Sequence, residues 1–243
     1  MTLVHAVLPG GPLGGDPCGT TVVTPDTLEA EGWFTPDDET PAEIDTVEGA
    51  PETVGDAALT LPTDAELGSS LYKTAERAPL GELLTNEDGD LEPLSYEYIS
   101  DDQAPALQIR LHEASLADSE ADNSGYDLGF ATVVWSPEPA EGWSVADPGD
   151  SGEFWVTRAL EDPEGDEIPR GERMTLEQVI ELNPDAVVTE YGVQKTRDNT
   201  ADNVAVDNFT VGCETTDFEL EDADGPGGSL ADLTGSLEDV LPS

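Results

Sequence analysis

Apolar residues in this chain recur at every second position far more often than at helical spacing. In LSYEYIS (94–100), Tyr96 and Tyr98 share one face. In ALQIRLHEA (106–114), Leu107, Ile109 and Leu111 lie on one side and Gln108, Arg110 and His112 on the other. TTVVT (20–24) reads as a short apolar strand and DAALTLP (56–62) alternates. LGFATVVW (128–135) is nearly continuous and reads as a central strand. GEFWVTRAL (152–160), AVVTEYGVQK (186–195) and NVAVDNFTVG (203–212) follow, separated by turns rich in Pro, Gly and Asp. Many strands, few helices and a period of two predict an all-β fold, an antiparallel β-sandwich of the jelly-roll kind.

One helix is marked, near residues 175–183. In MTLEQVIELNPD (174–185), Thr175 stands as N-cap with Gln178 three residues on, which is a capping box. Leu176, Val179, Ile180 and Leu182 make the apolar stripe, and Asn183-Pro184 ends it. LGELLTNEDGD (80–90) has room for one further helical turn. Beyond Asp217 the strand pattern stops. DADGPGG (222–228) reads as a linker, and SLADLTGSLEDVLPS (229–243) has the spacing of an amphipathic helix of about three turns, too short to be stable alone in water. The chain therefore divides into an N-terminal arm (1–17), a β-sandwich domain (18–220) and a linker with an amphipathic tail (221–243). Residues 1–15 contain no acidic residue; they and residues 229–243 are the candidate docking arms for a homo-oligomer or larger assembly.

Charge changes the picture of where such a domain works. The 243 residues hold 55 Asp and Glu against 8 Lys and Arg, a formal charge of −47. Disorder is the first expectation for such a chain, but 37% of its residues are hydrophobic and they fall in strand-like runs. The acid is spread along the chain, and lysine occurs only at Lys73 and Lys195. At molar salt the Debye length is ~3 Å, so surface carboxylates barely repel one another. The composition points to an extreme halophile, a haloarchaeon or its virus. It excludes nucleic-acid binding, which needs clustered Lys and Arg, and attraction to anionic membranes. No run of about 18 apolar residues predicts a membrane span, and residues 1–15 lack the basic start of a signal peptide.

Enzyme signatures are sparse, and the expectation is a non-catalytic protein. The two histidines, His5 and His112, lie in no nucleophile motif. HEASL (112–116) lacks the second His of a zincin helix, and no phosphate-binding glycine loop occurs. Calcium is the candidate cofactor, because it takes six to eight oxygens, often from short acidic loops with a glycine at the bend. NEDGDLE (86–92) offers Asp88 and Asp90, DSEADNSGYD (118–127) offers Asp118 and Asp122, and RDNTADNVAVDN (197–208) offers Asp202 and Asp207. None has the full EF-hand spacing, so an ordinary solvated acidic turn stands as the alternative for each. Of the four tryptophans, Trp135 and Trp155 sit in apolar strands and read as core. Trp143, in a polar loop, is the candidate glycan contact. Asn208-Phe209-Thr210 is an N-glycosylation sequon, with an unmodified strand residue as the alternative.

Several pieces in order carry a resemblance: VVTPDTLEAEGW (22–33), APLGELL (78–84), LSYEYIS, QAPALQIRL (103–111), ATVVWSP (131–137), FWVTRAL (154–160), TLEQVIELNPDAVV (175–188) and VAVDNFTVGCETTDFE (204–219). The chain is similar in this order, over about residues 20–220, to the concanavalin-like jelly-roll surface modules of secreted prokaryotic proteins. The resemblance implies an extracellular or cell-surface module that binds glycan or another surface, with its first and last strands adjacent. If TTVVT and FTVGC pair, Cys18 and Cys213 come within bridging reach. A disulfide there would close a loop of about 195 residues and contribute roughly 4–5 kcal/mol in the chain-entropy account, and it would imply an oxidising compartment. The competing reading is a structural subunit: a virion spike, decoration or fibre protein, or a cell-surface layer. The acid load and the cysteine pair depart from the family's pattern.

Overall fold

A computed structural model of the chain describes residues 19–62, 67–86, 88–118 and 129–221. The N-terminal arm, the 222–243 tail and Asp122 lie outside the described residues. Two seven-stranded sheets pack face to face. The first contains β1 (Gly19–Val23), β4 (Glu43–Thr46), β5 (Ala57–Thr60), β7 (Leu94–Ser100), β10 (Ser144–Ala146), β15 (Val204–Val211) and β16 (Glu214–Phe218). The second contains β2 (Trp33–Phe34), β3 (Thr40–Pro41), β6 (Ser69–Pro79), β8 (Ala106–His112), β9 (Ala131–Trp135), β11 (Trp155–Val156) and β14 (Val187–Lys195). A small ribbon of β12 (Leu160–Glu161) and β13 (Glu167–Ile168) stands apart. Pairing is antiparallel except for β1 with β16 and β3 with β6. The predicted sandwich with a short helix is the fold found.

The alternation explains which faces meet. Tyr96, Tyr98, Val206 and Phe209 of the first sheet, and Tyr191, Val193, Leu107, Ile109 and Val133 of the second, are all buried. Trp33 ties the two sheets together. Its indole meets Phe209 edge-on at 5.8 Å, Phe218 at 5.2 Å and Tyr191 at 6.5 Å, and Tyr191 in turn stacks on Phe209 at 6.0 Å. Each such pair is worth about 0.5–1.5 kcal/mol beyond the area it buries.

The marked helix is α2 (Leu176–Leu182), preceded in the chain by α1 (Leu80–Leu84). In α2 both bonds of the capping box are made: Gln178 N donates to Thr175 Oγ1, and Thr175 N donates to Gln178 Oε1 at 2.8 Å. Leu176 and Val179 are its buried face.

Three elements differ from expectation. β6, the longest strand, is not signalled by alternation, because Leu71 and Tyr72 are buried in succession and Lys73, Glu76 and Arg77 follow. The run 152–160 yields two separate two-residue strands; Phe154 is buried, while Trp155 pairs opposite Val134 and remains partly exposed. β1 does not lie on FTVGC. It runs parallel to β16, Gly19 opposite Glu214 through Val23 opposite Phe218, and the strand ETTDF was hidden by its polar residues. The connection from β15 to β16 is the two-residue turn Gly212–Cys213, with Gly212 at φ +61° in the first position, where such turns favour glycine. The first and last strands are nonetheless neighbours.

Gly192 on β14 is a point of close approach. A Cβ there would lie 2.0 Å from the carbonyl oxygen of Leu71 on β6. Gly192→Ala is expected to destabilise the fold by at least about 1–3 kcal/mol, read as a lowered denaturant midpoint in molar salt; an unchanged midpoint would contradict the β14–β6 register.

Candidate functional site

The calcium candidates are scattered. Asp88 and Asp90 are exposed, in a loop shaped by Asn86, whose Oδ1 accepts from Asp88 N at 2.9 Å and Asp90 N at 3.0 Å. The same construction recurs at Asp162, whose Oδ1 accepts from Glu164 N at 3.0 Å and Asp166 N at 2.8 Å. In both turns a side-chain oxygen accepts from backbone donors two and four residues on. Asp118 is exposed. Asp202 is exposed in the loop after β14, beside the ammonium of Lys195, which is buried and donates to Ala201 O at 2.6 Å. Asp207 is buried in β15. No group of three or more His, Cys, Asp or Glu side chains placed to hold a metal ion occurs among the described residues.

At the cysteines, Gly19 N donates to Cys213 O at 3.1 Å. Cys18 lies outside the described residues, and no free cysteine stands among them.

The outer face of the first sheet brings together the other two candidates. A groove of about 380 Å³ is lined by Thr53, Ser95, Tyr96, Glu97, Val145, Asn208, Thr210 and Thr215. Its wall is a fixed network. Asn208 Nδ2 donates to Thr53 O at 2.6 Å and to Glu97 Oε1 at 3.4 Å, and Thr53 Oγ1 donates to Glu97 Oε2 at 2.9 Å. Thr210 and Thr215 hydroxyls lie 2.9 Å apart. Asn208 holds a positive φ of 48°, which asparagine tolerates better than most residues. Its Nδ2, the atom a glycan would be joined to in the sequon, is the one tied to Thr53 and Glu97. Val145 on the edge strand β10 is 67% exposed. Trp143, just before β10, is half-buried rather than free in a loop, packed on Val54, Ala58 and Ala205, and its indole Nε1 has no partner.

Asp207 stands next to this wall, at the point where β15 changes neighbours. One edge of β15 follows β7; the other pairs with β5 at Ala205–Val206 and with β16 at Phe209–Val211. A bulge at 207–210 spans the change. Asp207 Oδ1 accepts from Phe218 N at 2.8 Å, so a side-chain oxygen serves β16 where no strand carbonyl does. Oδ2 is sealed from solvent and has no partner among the described residues. Burial pushes this carboxyl up to about 8, with Asp217 and Glu219 adding to the rise and backbone bonds from Phe218 and Asn208 opposing it.

The second sheet carries a polar band made by strands far apart in the chain. Tyr72 hydroxyl donates to Gln108 Oε1 at 2.6 Å, Gln108 Nε2 to Gln194 Oε1 at 2.6 Å, and Gln194 Nε2 to Glu39 Oε1 at 2.9 Å. Arg110 lies 3.7 Å over the Tyr72 ring and donates to Glu190 at 2.8 Å. Alternation in 106–114 marks Gln108 and Arg110 as a polar face, but only the sheet order supplies their partners. No family model matches the chain, and no curated protein or solved structure shows a significant match.

The Asp207 carboxyl sets a pH dependence. From its ordinary value of 3.8 to about 8, the folded chain keeps a proton that the unfolded chain has lost. Stability therefore falls as pH rises through this window and levels off above it. Above roughly pH 6 ordinary carboxylates are already ionised, so a fall in melting temperature between pH 6 and 8 in molar salt reports Asp207. Asp207→Asn, which keeps an acceptor for Phe218 N, is expected to flatten it; a wild-type curve that is flat or rising there would contradict the assignment.

Proposed function

We propose that this protein is a non-catalytic surface module of an extreme halophile that recognises glycans through the groove on the outer face of the first sheet. One observation carries the reading. Hydroxyl, amide and carboxylate groups fixed in place by one another line an open groove together with exposed Val145, and half-buried Trp143, two residues before Val145, packs on Val54, the neighbour of Thr53 in the groove wall. A few pre-positioned polar groups beside an apolar surface suit a ligand with hydroxyls on its rim and C–H groups on its faces. Glu97 is the one charged side chain in the lining and its oxygens accept from neutral Thr53 and Asn208, so the groove repels acidic sugars and favours a neutral one.

The rest of the setting belongs to the same proposal. The module works outside the cell, and Cys18 and Cys213 form a disulfide, supported by the Gly19–Cys213 contact and by the pairing of the end strands. Calcium, if bound, is taken at the exposed Asp88 and Asp90 loop, since Asp207 is committed to Phe218.

The test is a panel of neutral and acidic oligosaccharides titrated in about 3 M KCl. Binding is expected for neutral members, and Trp143→Ala is expected to weaken it about tenfold or more, a loss of about 1.4 kcal/mol, measured well below the variant's own melting temperature, which falls with the packing on Val54, Ala58 and Ala205 that is lost. No binding to any sugar, or binding indifferent to Trp143→Ala, would sink the glycan reading. The habitat has its own check. Dialysis below about molar salt lengthens the Debye screening distance from ~3 Å towards 10 Å, and the far-UV spectrum is expected to lose its β signature; an unchanged spectrum in dilute buffer counts against a halophile.

A further inference from the structure

Asp207 and Asn208 are successive residues of one bulge, and they serve different masters. Asp207 holds β16 through Phe218 N, and Asn208 holds the 47–56 loop through Thr53 O. That loop covers the small apolar cluster of Val54, Ala58 and Ala205 on the same sheet face. Among the described residues, the charged groups that bear on Asp207 are acidic. Asp217 and Glu219 face it from β16 and the residue after it, Glu97 is its register partner on β7, and Asp56, just before β5, bears on Glu219. Gly55 sits against the Glu219 carboxylate, so loop, strand end and carboxyl group are in one packed unit. An ionised Asp207 would place charge on an oxygen that is sealed from solvent and has no partner among the described residues. Such a group is relieved by hydration, and here water reaches it only if β5 and β16 part.

We propose that the Asp207 carboxyl is a pH-operated latch: protonated, it closes β16 and the 47–56 loop onto β15, and ionised, it releases both and loosens the groove wall at Asn208. Burial raises the carboxyl to about 8, which sets the closed state as the neutral-pH form. Only the last consequence, a change in sugar binding, rests on the glycan reading.

The test needs no sugar. Amide hydrogen exchange is measured by NMR on the full chain in about 3 M KCl from pH 6 to 9, with protection corrected for intrinsic exchange. Protection at Phe218 N is expected to fall by about tenfold per pH unit up to about 8 and then level off, the slope of one linked proton. Core amides of the second sheet, such as Ile109 and Val193, should stay more strongly protected throughout, which marks the opening as local. In Asp207→Asn the Phe218 profile should be flat. Flat wild-type protection, the same slope in Asp207→Asn, or opening of Phe218 only together with Ile109 and Val193 would each overturn the latch. The wild-type profile decides even if the variant does not fold. Failure here leaves glycan binding untouched, and absence of glycan binding leaves the exchange profile to stand by itself.

Discussion

β15 has more neighbours than a strand has edges. It pairs with β7 on one side and must serve both β5 and β16 on the other, so somewhere along its second edge a backbone donor is left without a strand carbonyl. The chain meets this constraint with a bulge and a carboxyl group. Asp207 supplies the missing acceptor to Phe218 N, and the extra residue turns Asn208 outwards. The other features of the first sheet follow from that. β16 can turn back along the end of β15, β1 can add beside it, and Phe209 and Phe218 both point into the aromatic cluster around Trp33.

Two electrostatic regimes coexist in the molecule. Most of its carboxylates are on the surface, where salt screens them and each costs little. Asp207, in the β15 fork, is in a dry setting, where salt does not reach and protonation or hydrogen bonding must do the work instead. The scarce cations are spent on structure. Lys195 organises the loop after β14, Arg110 covers Tyr72, and Lys73 pairs with Glu214 across the two sheets, beside Trp33.

Much of the fold was legible because β7, β8, β9, β14 and β15 each bury alternate or continuous apolar residues, a signal local to five to nine positions. α2 was legible from Thr175 and Gln178 alone. β6 and β16 were not, since their pairing depends on Tyr191, Val193, Phe209 and Val211 of other strands and their own residues are mixed in polarity. At the sites the limit was similar. Asp207 could be picked out as an acid near a strand end, but alternation cannot tell a surface ligand from a buried acceptor at a bulge. Trp143 was visible as a loop tryptophan, yet the cluster of Val54, Ala58 and Ala205 that half-buries it comes from three separate segments. The polar band of Tyr72, Gln108, Gln194 and Glu39 was invisible for the same reason.

In the proposed latch a protonated carboxyl closes the fork in β15. The most direct measurement is the carboxyl-carbon chemical shift of Asp207, followed by NMR through a pH titration in molar salt. The account predicts a single step with its midpoint near 8, far above the ordinary 3.8. A midpoint in the ordinary carboxylate range would mean that Asp207 is hydrated or paired with a cation, and would contradict the account of how the sheet is held together.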